Sequence, residues 1–170
     1  MSSSQYEREF KDILSGENKT ISKITRTCTS IEKDNYLRIN NKPFVVIRAA
    51  GSFGVDLVAV RGDISFLVEV KTSIEDTIHF SSIGGKLQKQ AELMRDVCER
   101  TKTLPIYAFR LKNYRGDSWR IFTLDFDGLE GRPSVLHKRL PKLDYSKSHN
   151  FIMRWKKGLS LSDFILYLCK

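Results

Sequence analysis

The chain has 170 residues, 41% of them hydrophobic, with 29 Lys and Arg against 20 Asp and Glu for a formal charge of +9. That length and apolar content suit one domain with a real core. No run approaches the roughly 18 apolar residues of a membrane span, and Met1 to Glu9 lacks the apolar stretch of a signal peptide, which predicts a soluble, intracellular (cytoplasmic) protein. Cys28, Cys98 and Cys169 form no C-x-x-C pair, and His79, His137 and His149 show no ligand spacing. A disulfide framework and a zinc ribbon are thereby excluded. Any metal would be held by carboxylates, which favours magnesium, with manganese as its substitute.

In chain order, Tyr6, Phe10, Ile13 and Leu14 have helical spacing and predict a helix over Ser4–Leu14. Ser4 and Glu7 stand at capping-box distance, and Gly16 supplies a stop. Glu17 to Lys42 is polar and basic with scattered apolar residues, suggesting a short hairpin or a mobile loop. Strands are predicted over Pro43–Ala49, Val55–Val60 and Ile64–Lys71, the last two separated by Arg61-Gly62-Asp63. Residues 76–86 read as a flexible, Gly-containing loop. Leu87, Ala91, Met94, Val97 and Cys98 form one stripe of a helix over Lys86–Arg100. Leu104–Leu111 and Trp119–Leu124 follow as strands, and a last helix after Ser160 points Leu161, Phe164, Ile165 and Leu168 inward. The order α-β-β-β-α-β-β-α predicts an α/β sandwich.

The chemistry is concentrated in one hairpin. With Gly62-Asp63 as a two-residue loop, Gly first suits a type II′ turn. Arg61 then faces Ile64, Val58 faces Leu67, and Asp56 faces Glu69. One face (Val55, Leu57, Ala59, Ile64, Phe66, Val68, Val70) is wholly apolar. The other carries Val58, Val60 and Leu67, and ends in Asp56, Glu69 and Lys71. Carboxylates directly opposite each other sit with Cβ atoms about 4.5–5.5 Å apart and repel. A divalent cation reverses that sign. Lys71, two residues from Glu69 on the same strand, points the same way and is placed to polarise a water or to steady charge on a phosphate.

A second signal is the stretch from Arg132 to Lys157, where eight Lys and Arg (Arg132, Lys138, Arg139, Lys142, Lys147, Arg154, Lys156, Lys157) stand against the single acid Asp144. Such an excess fits a polyanion such as nucleic acid. No nucleotide-binding glycine loop is present, so no nucleotide cofactor is expected.

The string from Ile47 to Val60, Ile-Arg-Ala-Ala-Gly-Ser-Phe-Gly-Val-Asp-Leu-Val-Ala-Val, followed by Leu67-Val-Glu-Val-Lys71, resembles the archaeal Holliday junction resolvases of the PD-(D/E)xK nuclease superfamily. Glu7-Arg8-Glu9-Phe10 looks like that family's first helix, Pro105–Phe109 and Trp119–Ile121 like its later strands, and Gly158–Leu161 like its closing segment. The resemblance covers most of the chain. It implies a nuclease domain over residues 1–170 with a restriction-endonuclease-like mixed sheet flanked by helices. Asp56 and Glu69 would bind magnesium, with Glu7 as third metal ligand and Glu9 as its fallback. Lys71 would stabilise the transition state, Ser52 would match an active-site serine, and Arg48 would lie near the scissile phosphate.

The implied activity is paired cutting of four-way DNA junctions in recombination and repair, by a homodimer whose two sites are related by symmetry. The apolar C-terminal helix (Phe164, Ile165, Tyr167, Leu168) offers either an interface or ordinary core packing. Two departures from the family, the basic insertion at 17–42 and the enlarged basic segment at 132–157, would extend the DNA surface or change the DNA structure preferred. A flap, nicking or restriction-like nuclease, or a catalytically silent DNA-binding module, stand as alternatives.

Overall fold

The computed structural model describes residues 3–49, 54–81 and 85–170. Helices α1 (Ser3–Ser15), α2 (Asn18–Ile24) and α3 (Ser30–Leu37) lead into strands β1 (Val45–Arg48), β2 (Leu57–Arg61), β3 (Ile64–Ser73) and β4 (Thr77–His79). Then come α4 (Lys86–Thr101), β5 (Leu104–Leu111), β6 (Trp119–Phe122), α5 (Gly131–Arg139), β7 (Asp144–Tyr145), β8 (Phe151–Arg154), β9 (Leu159–Ser160) and α6 (Leu161–Leu168). The main sheet has six strands in the order β1-β2-β3-β5-β6-β9, and β4-β8-β7 form a second, three-stranded sheet. β3 and β5 pair in parallel, across the α4 crossover, while the other neighbours pair antiparallel, so the main sheet is mixed. No helix among the described residues is long and apolar enough to cross a membrane.

Alternation along the strands sorts side chains into two layers. Leu57, Ala59, Ile64, Phe66 and Val68 pack with Phe10, Ile13, Leu14, Tyr36, Trp119 and Phe164 under α1, α3 and α6. On the other face Tyr107 and Phe109 join Ala91, Met94 and Cys98 of α4 and Phe80, Phe151 and Met153 around the small sheet. Val55 was expected in the first layer. It precedes β2, outside the strand's alternation, and is buried in the second.

The first helix ends as Gly16 dictates. Gly16 has φ +81, its N–H donates to Ile13 and that of Glu17 to Asp12, which closes a Schellman motif. Its start differs from expectation, because Ser4 lies inside the helix and the Glu7 carboxylate is bonded elsewhere. The segment 17–42 is neither hairpin nor loop. It forms two short helices and a 3-10 turn over Arg38–Asn41, anchored by buried Ile21, Tyr36 and Ile39. Thr29 and Glu32 form a complete capping box at the start of α3, and the Tyr36 hydroxyl donates to Asp117 Oδ1 at 2.6 Å.

Part of the expected 76–86 loop is strand β4, paired with β8 from Thr77↔Arg154 to His79↔Ile152. Residues 82–84 lie outside the described residues. The basic 132–157 segment is also more structured than its charge suggested, holding α5, β7 and β8. Much of its charge is consumed locally. Arg154 and Lys157 both pair with Asp144, at 2.7 and 3.1 Å, and Arg132 with Asp63 at 3.1 Å. Lys142 donates to the carbonyls of His137 and Leu140.

Candidate active site

The hairpin adopts the expected register: Arg61 pairs with Ile64, Val58 with Leu67 and Leu57 with Val68. Its turn is of another kind. Neither Gly62 nor Asp63 has positive φ, which a type II′ turn requires at its first position. Arg61 closes the turn instead, donating from Nε and Nη2 to the Asp63 carboxylate and from Nη1 to the Lys42 carbonyl at 2.7 Å.

One step before β2, Asp56 straddles Glu69. Its N–H donates to the Val68 carbonyl at 3.0 Å, and its Oδ2 accepts from the Val70 N–H at 2.7 Å. The Glu69 side chain emerges between these two bonds. It is buried, 6% exposed, and accepts at Oε1 from Lys71 Nζ at 3.0 Å.

Electrostatics record the cost of this arrangement. Burial pushes the Glu69 carboxyl up to about 7; the Lys71 ammonium opposes the rise and Asp56 reinforces it. The Lys71 pair alone would hold Glu69 ionised, but desolvation wins at this depth. The Asp56 carboxyl is also raised, by burial first and then by Glu7, against the pull of the Val70 N–H and Lys71. Two neighbouring carboxylates that burial holds back from joint ionisation are what a divalent cation relieves.

Glu7 and Arg48 reach the site from its edge. Arg48 ends β1 beside Leu57, and the Ala49 N–H donates to the Asp56 carbonyl at 2.9 Å. Arg48 Nη2 donates to Glu7 Oε2 at 2.9 Å. Its Nε is buried with no hydrogen-bond partner among the described residues. Glu7 is near enough to raise the Asp56 carboxyl. Among the described residues, however, no three His, Cys, Asp or Glu side chains gather as a ready-made metal cluster.

Glu9 does other work. Its Oε1 accepts from Trp119 Nε1 at 2.8 Å and from Arg110 Nε at 2.9 Å, fastening α1 to the sheet. Ser52 lies outside the described residues. Tyr107, which sequence reasoning passed over, stands opposite Glu69 in the parallel register. It is 1% exposed, and its hydroxyl is held protonated by burial and by the charges of Glu69 and Asp56. The signal was a single polar tip in the run Pro105–Phe109, legible only once the β3–β5 register is known.

No family model and no curated protein matches the chain. Among solved structures it is similar to Hjc, a Holliday junction resolvase from Archaeoglobus fulgidus, with 20% identity and a TM-score of 0.47, covering 71% of this chain and 88% of that one. A likeness this distant says nothing about chemistry. The chemistry has to come from the side chains.

Proposed function

We propose that this chain is a divalent-metal-dependent DNA endonuclease. The observation that carries the reading is half-buried Asp56 beside buried Glu69, with Lys71 bonded to Glu69. A fold selected for stability alone gains nothing from two neighbouring carboxyls whose pKa values burial raises.

The donor set fits a hard cation. Two carboxylates are the usual protein share for magnesium, which keeps several waters and takes further oxygens from a phosphate. Asp56 and Glu69 would hold the ion, with Glu7 adding negative charge at the edge. Bound there, the ion would supply a more acidic water and a Lewis acid for a phosphoryl oxygen. The rest falls to the chain. Lys71 holds an ammonium beside Glu69, where it donates to the attacking water or to the phosphate oxygen that gains charge. Arg48, fixed by Glu7 and with its side chain partly exposed, would bind the phosphodiester. The Val70 N–H fixes the Asp56 carboxylate, so little reorganisation precedes the reaction.

The sequence resemblance narrows the substrate to branched DNA, with four-way junctions the first candidate, cut in pairs by a homodimer. The C-terminal helix is a poor interface, since Phe164, Ile165 and Leu168 are wholly buried in the core. A better surface is the outer end of the main sheet. There Val45, Ile47 and Val60 are 66%, 56% and 42% exposed, beside an apolar groove of about 300 Å³ lined by Val55, Val58, Leu67, Met94 and Val97.

The test is incubation with a labelled four-way junction, a matched duplex and a flap, with and without magnesium, beside Asp56→Asn. Paired, magnesium-dependent cuts in the junction, lost in the variant, are expected. Cutting of flap or duplex alone would keep the chemistry and change the substrate. Binding without cutting under every condition would overturn the enzyme reading.

A further inference from the structure

The inserted helices build a second concave site, on the opposite face of the main sheet from Asp56 and Glu69. The end of α2 and the loop after it meet the β5–β6 turn, where the Gly116 N–H donates to Thr27 Oγ1 at 2.9 Å. Gly116 holds φ +108, a conformation open to glycine and strained for other residues. Between them lies a cleft of about 320 Å³ whose lining includes Lys23, Arg26, Arg110, Tyr114 and Arg115. Lys23, Arg26 and Arg115 make no ion pair or side-chain hydrogen bond among the described residues. The one carboxylate in the lining, Glu9, is committed to Arg110 and Trp119.

This contrasts with the 132–157 segment, where Arg132, Arg154 and Lys157 are each ion-paired with Asp63 or Asp144. Cations gathered in a concavity without counter-charges repel one another, and a polyanion removes that cost. The cleft also has an aromatic wall. Tyr114 is 43% exposed, and its ring is braced on Trp155 at 4.5 Å between centroids, with the Arg120 guanidinium 3.9 Å from the same Trp155 ring. A braced, half-open aromatic among unpaired cations is the pattern of a stacking platform in an electrostatic groove. Stacking on it needs a base with a free face, which a continuous duplex lacks.

We infer that the Lys23–Arg26–Tyr114–Arg115 cleft binds an unpaired nucleic-acid strand, the cations taking phosphates and Tyr114 a base. The cleft is aligned with the candidate active site along the sheet. Arg110 pairs in register with Thr72, one residue past Lys71 and three past the Glu69–Tyr107 pair. At about 3.3 Å per residue, that is roughly 10 Å along the strands, on the other face of the sheet.

The experiment measures anisotropy of a labelled ten-nucleotide oligothymidylate and of a hairpin duplex, on full-length Glu69→Gln protein so that no cutting intervenes. Tyr114→Leu should weaken oligothymidylate binding about 5- to 100-fold and leave the duplex little changed, whereas Tyr114→Phe should bind as the parent does. Arg26→Gln with Arg115→Gln should weaken binding and flatten its dependence on salt, by about 1.4 in the log–log slope for two lost phosphate contacts. Circular dichroism of each variant separates loss of binding from loss of fold. Unchanged oligothymidylate binding in folded Tyr114→Leu, an equal loss of duplex binding, or displacement of the oligonucleotide by inorganic phosphate at similar concentration would each overturn the inference. Because no cleavage is read, a failed nuclease reading leaves this result intact, and the reverse holds too.

Discussion

Replacing Glu69 by Gln removes one charge from the Asp56–Glu69 pair while keeping its size. The Glu69 carboxyl stands at about 7 against an ordinary 4.5, so its ionised form in the fold carries a penalty of about 3 kcal/mol. Between those two values the folded chain keeps a proton that the unfolded chain has released, so stability falls as pH rises. Wild type should lose about 2.5 kcal/mol between pH 5 and pH 8 from this group, and Glu69→Gln should not. The variant strands Lys71, which costs a similar amount at both pH values. The informative quantity is therefore the change in the difference between the proteins, read by urea unfolding in chelator. A difference that stays flat from pH 5 to pH 8 would refute the claim that burial dominates at Glu69. Magnesium at pH 8 should then raise the wild-type midpoint and leave that of Glu69→Gln unmoved.

Further expectations concern neighbouring groups. Lys71→Met should lower junction cleavage by 100-fold or more, on the order of 3 kcal/mol of transition-state stabilisation, with DNA binding nearly unchanged in a gel-shift assay. Glu9→Ala leaves half-buried Arg110 and buried Trp119 Nε1 without their acceptor and should cost about 3 kcal/mol in unfolding free energy. Because Glu9 faces away from the carboxylate pair, cleavage per folded molecule should survive. Ile47→Glu puts a charge on the exposed end of the main sheet, and light scattering should show any dimer dissociating while the fold persists. A dimer that survives would move the interface elsewhere.

The hairpin was legible because three independent signals agree there. Strict alternation separates Leu57, Ala59, Phe66 and Val68 from Val58 and Leu67, the two-residue loop sets the register, and a one-residue slip would have turned the apolar set outward. Asp56, Glu69 and Lys71 followed from that register. The turn type did not, since Arg61 clasping Asp63 substitutes for the positive φ that Gly62 could have adopted. The insertion was opaque because α2 and α3 bury few apolar residues, with Ile21 and Tyr36 as their chief anchors, too sparse for periodicity. Its readable clue was the Thr29–Glu32 capping box. Strands β4 and β7, of three and two residues, owe their existence to β8 rather than to any local preference. In the basic segment the sequence counts charges without showing that Arg132, Arg154 and Lys157 have acidic partners.

Asp117 gives the insertion an evolutionary signature. Buried at 3% exposure, it accepts from Tyr36 Oη at 2.6 Å and, through its other oxygen, from the Ser162 N–H at 2.9 Å. One carboxylate thus clasps segments 81 and 45 residues away in the chain. A descendant that shed residues 17–42 would leave Asp117 Oδ1 without the Tyr36 hydroxyl in the core, at a cost of about 1–3 kcal/mol. Position 117 and the insertion should consequently be inherited together. Natural variants with a short link from α1 to β1 should carry a small or apolar residue where this chain has Asp117.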